Sequence, residues 1–208
     1  MLEHDYALLG GLDRAQVGRY LSLVAASVSA GIVFVLLAAV NLVQRLGLPA
    51  NLTPSVLSLV GAGAVFGALY WIFNRYAWQW PVLNSAVKVP NLSGEWECMG
   101  KTFQPDGKVQ YEWKATVTIF QRWDKIRVRL KTEQSGSDSI AAALVCDDSD
   151  GHRLLYNYRN HPRIGEVELK SHLGFCDLNF SKDLKSAEGE YFNGHGRNTF
   201  GVMHLTRR

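Results

Sequence analysis

Hydrophobic residues are distributed in two different ways along the chain. From Tyr20 to Gln44 and from Leu46 to Asn74 the sequence carries no charged side chain. From Asn91 onward, apolar and polar residues alternate with a period of two. Long charge-free runs are typical of transmembrane helices, and period-two alternation is typical of strands with one buried face. The pattern therefore predicts two N-terminal transmembrane helices followed by an all-β domain.

The two charge-free runs are long enough to form a membrane hairpin, since a spanning helix needs roughly 20 residues. The second run opens with LGLPANLTP, whose prolines and asparagine predict a tight turn and a helix from about Ser55. Two buried helices of a soluble core are an alternative interpretation, and a cleaved signal peptide is an alternative for the first run. Glu3, Asp5 and Asp13 precede that run and a second span follows it, which favours an anchor.

Basic residues flank the spans in a pattern that indicates their orientation. Arg14 and Arg19 precede the first span, Arg45 alone lies in the loop, and Arg75 and Lys88 follow the second span. By the positive-inside rule this favours both termini in the cytoplasm. The expected division is a cytoplasmic segment at 1–19, a transmembrane hairpin at 20–80, a linker at 81–90 and a ligand-sensing β-barrel at 91–208.

Small residues in the second span predict close helix packing. Gly63 and Gly67 are four residues apart, and the first span has Ala26 and Ala30 at the same spacing. Such spacing lets helix backbones approach closely in lipid. The contact lies either within the hairpin or between copies of the protein. The aromatic residues between Tyr70 and Trp80 predict an interfacial belt.

The C-terminal half contains eight strand candidates bounded by turn residues. They are SGEWECMGK, VQYEWKATVTIFQ, KIRVRLKTE, DSIAAALVCD, HRLLYNYRN, EVELKSHLGFCDLNF, AEGEYFNG and RNTFGVMHLTR. The number of strands and the Gly94-x-Trp96 opening predict a lipocalin-like, up-and-down eight-stranded β-barrel, whose interior holds one small ligand. A β-sandwich is the alternative fold.

Alternation along the strands also predicts which side chains line the barrel. The inward aromatic and polar candidates for ligand binding are Tyr111, Trp113, Tyr156, Tyr158, Tyr191, Asn193, Arg197 and Thr199. Tyrosine rings stack on bases and a guanidinium forks onto a phosphate, so this interior suits a planar, anionic, partly aromatic molecule. The alternative is a structural polar network in which Arg197 pairs with Glu188 or Glu190.

A tryptophan near the start of the first barrel strand predicts a plug at one end of the barrel. Trp96 shares its face with Gly94 and Cys98, and Arg207 or Arg208 at the end of the last strand would cover its ring. We expect that contact to be structural.

Charge and motifs exclude several functional classes. Of the 22 basic and 19 acidic residues, five and three respectively lie in residues 1–90, so the C-terminal half is nearly neutral. A nearly neutral domain lacks the basic face that binds DNA or RNA. The three cysteines and six histidines show no metal-ligand spacing, and no motif for catalysis is present. The sequence therefore predicts neither an enzyme nor a metal or cofactor site.

Three stretches follow the predicted spans: NLSGEW at 91–96, YNYRNHP at 156–162 and GEYFNGHGR at 189–197. In this arrangement the chain resembles the two-transmembrane, β-strand-rich effectors of bacterial CBASS anti-phage defence, the SMODS-associated effectors encoded beside cyclic-oligonucleotide synthases. The resemblance implies an inner-membrane receptor whose barrel faces the cytoplasm and binds a cyclic dinucleotide. It further implies that binding drives homo-oligomerisation and disruption of the membrane, which kills the infected cell.

Two other classes of function fit the same elements. A membrane-tethered carrier of lipids or other hydrophobes would have a mainly aliphatic lumen. A structural interaction module would have a barrel filled by side chains, with no cavity.

Overall fold

The computed structural model describes residues 3–53, 56–57, 60–147, 151–165, 170–194 and 197–208. They form two compact units, one made of the chain up to Gly11 together with Asn84–Arg208, the other of Leu12–Leu83. The helical unit is therefore an insertion in the chain of the β unit. The predicted helix start at Ser55, the hairpin turn at 148–150 and the predicted strand residues 166–169 lie outside the described residues.

The helical unit begins with the 32-residue helix α1, Arg14–Arg45. The side chain of Asp13 caps this helix by accepting a hydrogen bond from the backbone N–H of Ala15, at 3.3 Å. Within the described residues, α1 is the one helix long and apolar enough to cross a membrane. The helix begins before Tyr20, where the predicted span begins. Its first turn is set by the Asp13 cap and not by the first residue of the charge-free run.

The second predicted span is shorter in the structure than in the sequence-based prediction. Helix α2, Ala62–Arg75, has 14 residues, which corresponds to about 21 Å at 1.5 Å per residue. A short 3₁₀ turn at Ala77–Gln79 follows it. Helix α3, Pro81–Val87, occupies most of the predicted linker, with proline in the first helical position. The segment predicted as a linker therefore contains a short helix.

Helix packing in this unit uses different small residues from those predicted. Ala25 and Ser29, one turn apart on α1, are buried, and the Ser29 hydroxyl donates to the Val60 carbonyl at 2.5 Å. Ala26 and Ala30 are exposed. Apart from the backbone of its own helix and its chain neighbours, no atom of the described chain lies within 4 Å of a Cβ built on Gly63 or Gly67. The glycine pair is thus unpacked within the described part of one chain.

The β unit contains nine strands in the described chain, and their order closes into a barrel, β1-β4-β3-β2-β9-β8-β7-β6-β5. Each of the eight predicted segments overlaps one of them. The bounds are β1 His4–Leu9, β2 Gly94–Phe103, β3 Val109–Gln121, β4 Lys125–Lys131, β5 Ser135–Asp147, β6 Gly151–Pro162, β7 His172–Phe180, β8 Ser186–Asn193 and β9 Phe200–Arg207.

The ninth strand is β1, which comes from the segment predicted to be an N-terminal extension at 1–19. It pairs antiparallel with β4 through His4 and Asp5, and parallel with β5 along Tyr6–Leu9. Strands β4 and β5 pair directly only over three residues, from Arg129 to Lys131 on β4. The N-terminal strand therefore fills a gap in the barrel wall, and the predicted domain boundary at residue 19 is wrong in this respect.

The barrel interior is divided along its axis. At the end where β2 begins, large apolar side chains are fully buried, among them Trp96, Ile119, Leu154, Leu178 and Leu205. Toward the opposite end the inward residues become aromatic and polar. Side-chain packing among the described residues thus closes the base of the barrel.

Candidate ligand-binding cavity

A cavity of about 150 Å³ lies in the upper half of the barrel. Seven of the eight residues predicted to bind ligand line it: Tyr111, Trp113, Tyr156, Tyr158, Tyr191, Asn193 and Arg197. They come from strands β3, β6 and β8 and from the chain between β8 and β9. Alternation in each strand therefore converges on one space.

The eighth predicted residue, Thr199, supports the cavity wall. Its hydroxyl oxygen accepts from the Asn193 amide at 2.7 Å, and the Asn193 amide oxygen accepts from the Tyr158 hydroxyl at 2.8 Å. This chain of hydrogen bonds fixes the Tyr158 ring relative to the chain between β8 and β9. Burial raises the pKa of Tyr158 well above that of a free phenol, so the hydroxyl keeps its proton and remains a donor.

Trp113 and Tyr191 form a second aromatic pair, in an edge-to-face arrangement with ring centroids 5.6 Å apart. The Tyr191 hydroxyl accepts from the Trp113 indole N–H at 3.2 Å and lies 2.6 Å from the Thr102 hydroxyl. A Cβ built on Gly100 would come within 2.1 Å of the Trp113 ring. Glycine on the neighbouring strand therefore makes room for this indole.

A glycine on the neighbouring strand also makes room for Tyr158. Gly174 is its register partner on β7, and a Cβ on that glycine would come within 2.3 Å of the Tyr158 ring. Tyr156 and Tyr158 lie 6.0 Å apart between ring centroids on the same strand. Both rings are buried, and together they offer an aromatic wall to a flat ligand.

Arg197 provides the positive charge of the cavity. Its guanidinium donates to the Tyr111 hydroxyl. It does not pair with Glu188 or Glu190 as the structural alternative predicted, because those side chains lie on the outer face of β8, where Glu188 contacts His204 at 3.4 Å. Among the described residues that line the cavity there is no acidic side chain. The electrostatic environment therefore favours an anion.

Sequence reasoning missed a group of polar residues that also line the cavity. They are Thr132, Gln134, Ser135, Ser137, Asn160 and His172. Asn160 could have been found by extending the alternation of Tyr156 and Tyr158 by two positions. The serines fell in a stretch interpreted as a turn, although Ser135, Ser137 and Ser139 alternate inward along β5.

Asn160 carries an unsatisfied polar atom. Its amide nitrogen donates to Ser135 at 3.1 Å, while its amide oxygen is buried without a hydrogen-bond partner in the described chain. Since the serine hydroxyl both donates and accepts, turning the amide over would leave the nitrogen unpartnered instead. A buried atom of this kind costs free energy unless a ligand or water completes its bond.

His172 contributes a neutral imidazole to the cavity. Burial is the main cause that lowers its pKa, and the nearby Arg197 charge lowers it further. Its Nδ1 lies 2.9 Å from the Lys170 carbonyl oxygen, so Nδ1 carries the proton and donates there. At neutral pH Arg197 is therefore the charged group among the described residues that line the cavity.

The base of the barrel contains the predicted plug. The Arg207 guanidinium lies 5.3 Å from the centroid of the buried Trp96 ring and donates to the Ser93 carbonyl at 2.5 Å. Arg208 instead contacts Glu97 on the barrel exterior. Trp96 and Arg207 take no part in the cavity.

Comparison with known proteins covers both units. Residues 87–207 match the family model described as Cap15, cyclic dinucleotide receptor domain, and residues 15–79 match the model described as Cap15, TM helices. The CD-NTase-associated protein 15 of Yersinia aleksiciae is 42% identical over 207 residues, which cover 100% of this chain and 98% of that protein. A protein of the same name from Staphylococcus schleiferi is 22% identical over 122 residues, covering 59% of this chain and 64% of that protein. The range that matches the receptor-domain model, residues 87–207, includes strands β2–β9. Strand β1 precedes the ranges that match the two family models.

Proposed function

Because the chain belongs to the Cap15 family, we propose that it is a membrane effector of CBASS defence, switched on when a cyclic dinucleotide occupies the barrel cavity. The bound barrels bring their transmembrane segments together. The resulting oligomer disrupts the inner membrane and kills the infected cell.

The chemistry of the cavity is the observation that carries this proposal. Arg197 offers a charge-assisted, two-pronged contact to a phosphodiester. The rings of Tyr156 and Tyr158 offer a stacking surface to a base. The unsatisfied Asn160 amide offers a hydrogen bond to a base edge or a ribose hydroxyl. Leu130 and Met203 are the aliphatic residues among the described lining, which is too few for a lipid tail.

The cavity is smaller than a whole cyclic dinucleotide requires. Its volume of about 150 Å³ lies below the roughly 300–1,000 Å³ typical of small-molecule sites. Binding therefore requires the mouth to open. The contact between Arg197 and Tyr111 is the one that ligand would replace, because a phosphate competes for the same guanidinium.

The chain topology supports a membrane hairpin with the barrel in the cytoplasm. Strand β1 precedes α1, and both strand β1 and strands β2–β9 belong to the same folded unit. A folded barrel lies on one side of a membrane, so a chain that crosses through α1 must return before Asn84. Arg14 and Arg19 next to α1 favour the cytoplasmic side by the positive-inside rule.

Association of the membrane segments would occur through the unpacked pair Gly63 and Gly67. Small residues at this spacing allow close contact between helices of different chains. Tethering many such helices to ligand-bound, associating barrels raises their effective concentration without any new contact. Replacing both glycines with leucine should leave ligand binding unchanged and abolish toxicity in cells. Unchanged killing would refute this part of the proposal.

The remaining features of the proposal follow from the same site. The barrel is lipocalin-like in that a plugged base supports one ligand cavity. It binds its ligand without converting it, requires no metal or cofactor, and has neither DNA nor RNA as a partner.

Thermal unfolding of the full chain in detergent, against a panel of cyclic di- and trinucleotides, tests the proposed function. The full chain is needed because a fragment that starts after the helices lacks β1. A ligand at a hundred times its dissociation constant adds about 2.7 kcal/mol to stability. We expect a clear shift with one or two members of the panel. Unchanged unfolding with every member would refute a cyclic-nucleotide receptor.

A further inference from the structure

Four phenylalanines form a continuous row on the outside of the barrel, across four neighbouring strands. Phe103 on β2 pairs in register with Phe200 on β9, which pairs with Phe192 on β8, which pairs with Phe175 on β7. At the two ends of the row the ring centroids of neighbouring residues lie 6.4 Å apart for Phe103 and Phe200 and 5.4 Å apart for Phe175 and Phe192. We call these four residues the phenylalanine ladder.

The ladder is exposed to an extent that is unusual for aromatic side chains. Phe192 and Phe200 are 55% and 43% exposed. Val109, the register partner of Phe103 on β3, is 48% exposed and continues the apolar row at that end, whereas the register partner of Phe175 on β6 is the polar Asn157. Leu173, two residues from Phe175 on β7, is 42% exposed and widens the patch along the strand. Single apolar residues on a surface need no explanation, but a contiguous aromatic patch marks a place of contact.

We propose that the phenylalanine ladder is the surface through which two copies of the barrel associate when the cavity is occupied. This inference rests on the proposed function, since it assigns the contact by which ligand binding leads to assembly.

The charges beside the ladder are arranged for a second copy of the same chain. The next outward row across the same strands reads Lys101, Val202, Glu190 and Asp177, with the basic residue at one end and the acidic residues at the other. Lys101 contacts Glu112 at 3.0 Å and Asp177 pairs with Arg153 within the same chain, so a second copy would share Lys101 with Glu112 and would meet the exposed Glu190 as the acidic group of the row. A two-fold axis parallel to the strands reverses this order between copies. It therefore sets Lys101 of one copy opposite Asp177 of the other, with Glu190 one strand away and within reach of the lysine side chain. Phe192 of one copy then faces Phe200 of the other.

The same axis suits two chains anchored in one membrane. A rotation about the strand direction leaves both barrels pointing the same way, so Gly11 and Asn84, where the chain leaves the β unit, lie at the same end in both copies. A lipid surface is a poorer partner, because Glu188 and Glu190 are exposed beside the ladder and anionic headgroups would repel them.

The ladder is connected to the cavity through the chain between β8 and β9. Phe192 and Phe200 stand immediately outside this connection, whose residue Arg197 reaches into the cavity. The Asn193 N–H donates to the Thr199 carbonyl at 2.7 Å, which ties the two ends of the connection together. The Arg197 N–H donates to the Gly194 carbonyl at 2.9 Å, and the Thr199 N–H donates to the Arg197 carbonyl at 3.2 Å. A ligand phosphate that draws Arg197 away from Tyr111 therefore shifts Gly194 and Thr199 and, with them, the adjacent central rings of the ladder.

The first test combines Phe192→Ser with Phe200→Ser in the full chain, in membranes. We expect its affinity for the stabilising cyclic dinucleotide to stay within about threefold of wild type, since both rings point outward, and ligand-dependent chemical cross-linking to be lost. Phe120→Ser is the matched control, because Phe120 is 47% exposed on the outer face of β3 but lies outside the ladder. Unchanged cross-linking in the double variant would overturn the inference.

The second test locates the contact. Membranes that contain both a Phe192→Cys chain and a Phe200→Cys chain should form a disulfide-linked dimer when the cyclic dinucleotide is added and an oxidant is present. Either variant alone should cross-link less, because its own sites are offset by about one strand spacing of 4.8 Å. Lys101→Glu should weaken the dimer, and Lys101→Glu with Glu190→Lys should restore it. A ladder that contacts lipid would yield no disulfide and no rescue by the charge exchange.

The outcomes separate the inference from the function on which it rests. Wild-type protein that binds no cyclic dinucleotide refutes the proposed function. Protein that binds one normally but never cross-links through positions 192 and 200 overturns the interface alone. Cross-linking that is equally strong without ligand overturns the control of the interface by the cavity.

Discussion

Replacing Arg197 with glutamine removes the positive charge that Arg197 contributes to the cavity while keeping a side chain that forms hydrogen bonds. In the unbound protein the guanidinium donates to Tyr111, is half-buried and has no acidic partner in the described chain. The variant therefore loses one hydrogen bond at the mouth and no ion pair. We expect the barrel to remain folded. Its unfolding temperature should stay within about two degrees of wild type, because a small change in free energy shifts the unfolding temperature only slightly.

The loss of ligand affinity is estimated from the contact that the ligand gains. A hydrogen bond to a charged group contributes about 1.5–3 kcal/mol. Arg197 is partly exposed to solvent and gives up Tyr111 on binding, so the lower part of this range applies, about 1.5–2 kcal/mol. This corresponds to a roughly 10- to 30-fold increase in Kd.

Isothermal titration of the full chain in detergent measures this change. Arg159→Gln is the matched control, because Arg159 is exposed on the outer face of β6 and does not line the cavity. A lysine at position 197 should recover only part of the affinity, since it keeps the charge but not the planar fork. Affinity of the glutamine variant within twofold of wild type would show that the phosphate does not contact Arg197.

Three further perturbations follow from the geometry of the barrel. Gly174→Ala should weaken cyclic dinucleotide binding about tenfold, because the new Cβ pushes the Tyr158 ring into the cavity. Gly136→Ala is the control and should bind with wild-type affinity when both variants are measured by titration. His172→Gln should make the free energy of unfolding depend less on pH below about 6.5. The pKa of His172 is lowered in the folded protein, so its contribution to stability is present above its ordinary pKa of 6.5 and is lost as the pH falls below that value. The free energies of unfolding of both proteins can be measured with denaturant at pH 7.5 and 5.5. An equal loss of stability in wild type and variant between these pH values would contradict the prediction. Tyr6→Ala should lower the free energy of unfolding by about 3 kcal/mol, as for other buried aromatic residues, and a loss below 1 kcal/mol would mean that β1 is not part of the stable barrel.

The strands of the C-terminal half were predictable because two independent signals agree there. Period-two alternation marks each strand, and turn residues separate neighbouring strands, as QPDG does between Phe103 and Val109. The same alternation placed Tyr111, Trp113 and Tyr191 on the inward side, and the structure brings them to one cavity.

Strand β1 was not predictable by the same means. HDYALL is only six residues long, and its Leu8 and Leu9 break the alternation after Tyr6. Its conformation depends on pairing with β4 and β5, which are more than a hundred residues away in sequence. Tertiary pairing of this kind leaves no local signal, so the segment is interpreted as a terminal extension until the fold is known.

The interior polar residues were missed for a related reason. Ser135 and Ser137 resemble turn residues by composition, and only the long β5 strand shows that they alternate into the lumen. The phenylalanine ladder likewise depends on register, because Phe103 and the three phenylalanines of β7, β8 and β9 become neighbours only when these strands are aligned.

Photochemical labelling with an azido derivative of the stabilising cyclic dinucleotide tests the central claim most directly. The full chain is irradiated in membranes with the ligand bound, digested, and analysed by mass spectrometry for the modified peptide. A ligand in the barrel cavity should label peptides that contain Tyr156 and Tyr158 or Tyr111 and Trp113, and unlabelled cyclic dinucleotide should compete. Competed label confined to the helices or to the outer face of the barrel would contradict the claim that this cavity is the receptor site.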